Sequence, residues 1–243
     1  MKLLIISKFT YHHVHPDQGG MVNPSKVGRA RILRSRDRFW HPADLPGAQS
    51  TVQHLLTELT KEGELRRVRR GVYWRGTRTP LGMSPPPTDD LVSELVGGRK
   101  GSGPAGPSAA SLLRLSTQVP RRAHVAVPGR APSSTPTVQF VSRAASLGRH
   151  DAGLSPVEVA LLEMLEDFSA SELSPNESWD RLRTVLGSPQ VRPRKLATAA
   201  ATEPAIARAR LTAMMTETGH ADLASIIPPA DPRVRARALK LTA

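Results

Sequence analysis

The chain has 243 residues, enough for two modest domains, with 39% hydrophobic residues, only 4% aromatic ones and a formal net charge of +13. With no cysteine, disulfides, thiolate zinc sites and thiol chemistry are excluded. The positive balance points to a polyanion, nucleic acid before an acidic membrane surface, and the few aromatics disfavour stacking platforms for single strands.

The opening "MKLLIISKFT" holds four apolar residues, Leu3 to Ile6, short of the roughly 7–15 of a signal-peptide core. No run approaches the about 20 apolar residues needed to span a bilayer, so no membrane partner is expected. Residues 1–20 read as a non-native or disordered extension, with Met21 a natural start. His12, His13 and His15 have no carboxylate or cysteine partner at ligand spacing, and no metal is expected.

Residues 21–80 read as a small basic module. Between Met21 and Gly82 there are thirteen Lys or Arg against five Asp or Glu, a net of +8. Phe39 and Trp40 form a short apolar lead-in, and Pro42 suits the first position of a short helix that Pro46 and Gly47 end. Ser50 to Gln53 matches a capping box. Val52, Leu55, Leu56 and Leu59 then recur at i, i+3, i+4 and i+7, one buried stripe, and Gly63 stops the helix.

The face away from that stripe carries Gln49, Ser50, Thr51, Gln53, His54, Thr57 and Lys61, all able to reach base edges in a major groove. "ELRRV" and "GVYW" read as two strands around a tip with Gly71, with a bulge expected or Leu65 belonging to the helix–strand junction. Val72 and Trp74 share a face expected to close over the helix stripe. Arg66, Arg67, Arg69, Arg70 and Arg75 crowd this hairpin. Short helix, turn, recognition helix and basic hairpin make a winged helix-turn-helix, whose wing would grip phosphates of double-stranded DNA.

Residues 81–90, with three consecutive prolines, read as a linker to an α+β domain over residues 91–218. In "GSGPAG", Gly101 to Gly106, the G-x-G-x-x-G spacing is met, but no βαβ unit surrounds it, so no dinucleotide cofactor is expected. A short helix from Pro107, strands at "AHVAV" and "TVQFVSR", and capped helices from Ser155 and Ser174 follow. A further helix spans about Pro204 to Thr218, its Met214 and Met215 read as core. Glu158, Glu163, Glu166 and Asp167 read as a helix N-terminus and a solvated face rather than metal ligands. Residues 219–243 read as a basic tail that orders only on contact. No motif of a catalytic site is present, so no enzyme activity and no cofactor are expected. The fold class is α+β, a winged helix-turn-helix followed by a mixed α+β domain ending in helices.

Two segments also carry a resemblance. "LTKEGELRRVRRGVYW" resembles the winged-helix portion of AbiEi-like antitoxins, the regulatory halves of bacterial type IV toxin–antitoxin pairs. "GPSAASLLRLSTQVPRRAHVAVPGRAP", Gly106 to Pro132, is similar to the second part of that family, with Leu115 to Pro120 the most specific stretch. Arg114 departs from the pattern, standing where a small residue, glycine, is expected. The likeness runs over roughly residues 25–165. It implies a cytoplasmic bacterial protein that represses its own operon and counters a nucleotidyltransferase-like toxin, without need of stable contact with it. Two other readings stay open: a winged-helix regulator whose second domain senses a ligand or partner, and an enzyme acting on nucleic acid.

Overall fold

The computed structural model describes residues 23–240, so the expectations for residues 1–20 lie outside it. The chain divides between Pro85 and Pro86 into two compact units.

The first unit opens with α1 (Pro24–Arg34), which composition had not marked, because only Gly28 and Ile32 of it are buried. Asn23 caps it, its side chain accepting from the Ser25 N–H at 3.0 Å. Strand β1 (Arg38–Trp40) follows, then a single 3-10 turn at Pro42–Asp44 where a short helix was expected. Helix α2 (Gln49–Lys61) buries Val52, Leu55, Leu56 and Leu59 as its spacing requires. It begins two residues early, however, with Ala48 as its cap and no side-chain cap bond, so the Ser50 capping box does not form. Gly63 turns the chain at φ 72°, and the Glu64 N–H closes back on the Leu59 carbonyl.

Strands β2 (Arg66–Arg69) and β3 (Val72–Arg75) form the hairpin, with β3 central in the order β1-β3-β2. A register shift between Arg67 and Arg69 is the expected bulge, and Leu65 also sits in the helix–strand junction. The face assignment is reversed. Tyr73 joins the cluster with the α2 stripe, Ile32 and Trp40, while Trp74 pairs with Phe39 across the sheet, ring centroids 4.7 Å apart. Val72, Tyr73 and Trp74 are all buried, so alternation along β3 held no signal of its inner face. Two-residue strands β4 (Arg78–Thr79) and β5 (Gly82–Met83) pair across the boundary expected at residue 80, so the first unit reaches into the stretch expected to be linker.

In the second unit, α3 (Thr88–Val96) starts before the expected linker ends. Strands β6 (Gly103–Pro104), β7 (Ala123–Pro128) and β8 (Val138–Arg143) make a three-stranded sheet, β6 antiparallel and β8 parallel to β7. Helix α4 (Gly106–Leu112) packs on β7, and α5 (Gly148–Asp151) is one short turn. Helices α6 (Pro156–Glu166) and α7 (Pro175–Leu186) carry the two expected capping boxes, at Ser155 with Glu158 and at Ser174 with Glu177. Helix α8 (Pro193–Ala199) was not foreseen. Helix α9 (Ala205–Glu217) buries Met214 and Met215 in the core.

Helix α6 is the axis of this core, with every residue from Glu158 to Leu165 buried. Glu158 does stand at the helix N-terminus and Asp167 is exposed, as expected, but Glu163 is buried and Glu166 half-buried instead of lying on a solvated face. Glu163 accepts from Arg143 at 2.8 and 2.6 Å and from Arg149 at 2.6 Å, while Arg149 also holds Glu203 at 2.7 and 2.6 Å. Glu158 caps its own helix and accepts from the backbone and side chain of Arg192, both at 2.8 Å. Burial opposes both charges, but the guanidiniums outweigh it and hold Glu158 and Glu163 below the ordinary carboxylate range. Among the described residues, no group of three or more His, Asp or Glu is placed to hold a metal.

The expected loose tail is folded through residue 240. Helices α10 (Ala221–Ser225) and α11 (Pro232–Leu239) pack on α9. Buried Arg210 of α9 donates to the Ala238 carbonyl at 3.1 Å and to those of Leu165 and Glu166 at 2.9 and 3.2 Å, closing the ends of α11 and α6 together.

Leu115 to Pro120 leaves α4 through Arg114, at φ 59° a left-handed residue in a place that suits glycine. The Glu172 carboxylate then accepts from the Thr117 N–H at 2.8 Å, and the Glu172 N–H donates to the Leu115 carbonyl at 2.9 Å.

Glu163→Gln should cost the second unit about 3 kcal/mol, since it leaves Arg143 without its carboxylate. The depressed carboxyls stabilise fully above the unfolded value of 4.5, and that contribution is lost as pH falls below it. Denaturant unfolding from pH 7 down to acid should therefore show a steeper loss in wild type than in the variant. Arg114→Gly should raise stability by about 1 kcal/mol by relieving the left-handed conformation, read as a shift in the urea midpoint.

Candidate nucleic-acid interface

The exposed side of α2 and the β2–β3 hairpin face a common groove. Gln49, Ser50 and Gln53 line it from the first turns of the helix, and Arg67, Arg70, Gly71 and Tyr73 from the hairpin, around about 530 Å³. Three of the seven helix residues singled out from the sequence and two of the five arginines thus meet in one place. Tyr73 was missed as a wall residue because its burial reads as core.

The remaining candidates are placed differently. Thr51 is exposed near the same end, and Lys61 stands at the far end of α2. His54 is engaged with Glu58 at 3.1 Å, and the Thr57 hydroxyl donates to the Gln53 carbonyl at 2.8 Å. Arg69 is exposed at the hairpin tip. Arg66 donates to the Met83 carbonyl at 3.2 Å, on the side of β4 and β5. Arg75 departs furthest from expectation. Its side chain is only 14% exposed and pairs with Glu64 at 3.1 Å, so it braces the hairpin base instead of standing free.

The charge balance explains which arginines remain unpaired. Glu62 takes Arg29 at 2.6 Å, and Glu64 takes Arg75 and Arg78. Among the described residues no carboxylate pairs with Arg67, Arg69 or Arg70. Three guanidiniums on one hairpin repel one another in water only moderately, and an anion between them reverses the sign of the interaction.

The missing cap on α2 adds to this. The first turn of a helix leaves N–H groups without partners and carries the positive end of the helix dipole. At Ser155 and Ser174 side chains fill that role, but at Ala48 none does. An uncapped helix start beside two free guanidiniums is an arrangement that accepts phosphate oxygens.

No family model matches the chain, and no curated protein does. Among solved structures it is similar to the crystal structure of the RV2827C protein from Mycobacterium tuberculosis, at 16% sequence identity and a TM-score of 0.48, with 89% of this chain and 82% of that chain covered. The functional reading rests on the residues themselves.

The hairpin tip depends on Gly71, at φ 77° with open space around it, so adding a side chain there costs conformation and not room. Gly71→Ala should lower stability of the first unit by about 1 kcal/mol. Urea unfolding followed by fluorescence of Trp40 and Trp74 would register it, and no change would mean the turn does not need its positive φ.

Proposed function

We propose that the chain is a DNA-binding repressor of its own operon, acting in the bacterial cytoplasm as the antitoxin of a type IV pair. The α2–hairpin groove carries the DNA part of this reading, because it joins polar side chains, free N–H groups and unpaired arginines without an internal anion. In this arrangement Gln49, Ser50 and Gln53 meet base edges while Arg67, Arg69 and Arg70 hold the flanking phosphates. The antitoxin part rests on the resemblance of "LTKEGELRRVRRGVYW" and of Leu115 to Pro120. The second unit then counters a nucleotidyltransferase-like toxin.

Salt-titrated binding to the DNA upstream of the protein's own gene, beside unrelated DNA, tests the repressor reading. Arg67→Ala/Arg70→Ala should weaken both DNAs alike, by about tenfold at moderate salt, and flatten the salt slope by roughly 1 per lost phosphate contact. Gln49→Ala/Gln53→Ala should leave unrelated DNA unaffected and lose the preference for the upstream site. If neither variant changes binding, the groove is not the interface. Growth rescue from the adjacent toxin gene, with the DNA-binding variants retained as rescuers, tests the antitoxin role separately.

A further inference from the structure

A second concavity lies wholly within the second unit, beside α3, with a volume of about 810 Å³. Small-molecule sites run from about 300 to 1,000 Å³. Its apolar wall includes Val92 and Val96 of α3, Leu112 of α4, and Val119 from the turn that follows. Leu112 is 45% exposed and Val119 86%, so these side chains offer apolar surface at the rim and are not spent on the core.

The polar part is uneven in sign. Arg99, Lys100 and Arg121 line the cavity, with Asp89 as the one acidic lining residue. Arg99 is held in place by donating to the Arg130 carbonyl at 2.7 Å. Lys100 and Arg121 are exposed and have no carboxylate partner among the described residues. Ser102 also belongs to the lining, although its hydroxyl is turned away from solvent.

The wall is built rather than loose. A Cβ on Gly101 would lie 2.4 Å from the Arg149 backbone, and one on Gly103 would lie 2.8 Å from Val159. Gly101 and Gly103 therefore serve close backbone packing against α5 and α6, and that packing fixes the Arg99–Ser102 segment beside the cavity.

We propose that this cavity binds a small organic anion with an apolar, ring-sized body, its carboxylate or phosphate head held by Lys100 and Arg121. The site is independent of whatever α2 binds.

Calorimetric titration of the full chain with 2-naphthoate, 2-naphthyl phosphate and the neutral 2-naphthamide tests it. At least one of the two anions should bind saturably, with the amide weaker by about tenfold or more, and the better anion identifies the head group. Lys100→Gln/Arg121→Gln should weaken that anion by about tenfold and leave the amide unaffected. Leu112→Asp, at an exposed position, should weaken it as well. Arg67→Ala/Arg70→Ala should change nothing, which separates this cavity from the basic hairpin. The proposal is overturned if neither anion saturates, if the amide binds as tightly, or if only the hairpin variant reduces binding.

Discussion

Glu158 and Glu163 lie on a helix enclosed on nearly every side, and a buried carboxylate stripped of water must be given cations in return. That demand organises the second unit. Arg143 arrives from the end of β8, Arg149 from α5 and Arg192 from the start of α8, so three separate elements are tied to α6 through its acids. Arg149 passes the constraint on to Glu203, just ahead of α9. The apolar contacts around α6 supply most of the driving force, at about 1.5–3 kcal/mol for each buried Leu or Met. The ion pairs decide which elements surround it, since a misplaced neighbour would leave a charge alone.

The first unit follows the opposite rule. Its acids are few and are consumed early, Glu62 by α1, Glu64 by the base of the hairpin and Glu58 by His54. The shortage is left at the hairpin tip and the start of α2, where solvent and any arriving anion have access. The second unit neutralises its buried charges internally, and the first carries an unbalanced set on a defined surface. That contrast is what supports the proposed reading of the groove as a site for a polyanion.

Much of this was legible in the residues. Ser-Pro-x-Glu announced two helices, the i, i+3, i+4, i+7 run placed α2, and Gly71 marked the hairpin tip. What escaped had physical causes. Helix α1 buries so little that its periodicity is faint, with Val27 and Leu33 both left partly in solvent. Strand β3 is covered on both sides, so its alternation could not reveal which side met the helix. The cap of α2 was misjudged because Ser50 had the right chemistry but the helix began at Gln49. The pairing of Arg149 with Glu203 spans more than fifty residues, and no local pattern records it. The groove was half visible, since residue type named its members but could not say that Glu64 would claim Arg75.

Arg210 gives the chain's end an unexpected weight. One guanidinium closes the last turn of α6 and the last turn of α11, and its central carbon sits over the Phe168 ring, 4.5 Å from the centroid. The final helix is thereby part of the support of the central one. A boundary drawn at residue 219, where composition turns basic and Pro-rich, would remove the Ala238 carbonyl and open one side of a buried cation to water. Shortened versions made to ask what the terminal arginines bind would report on folding first, so the informative edits there are charge swaps on α11 that leave its length and its backbone carbonyls in place.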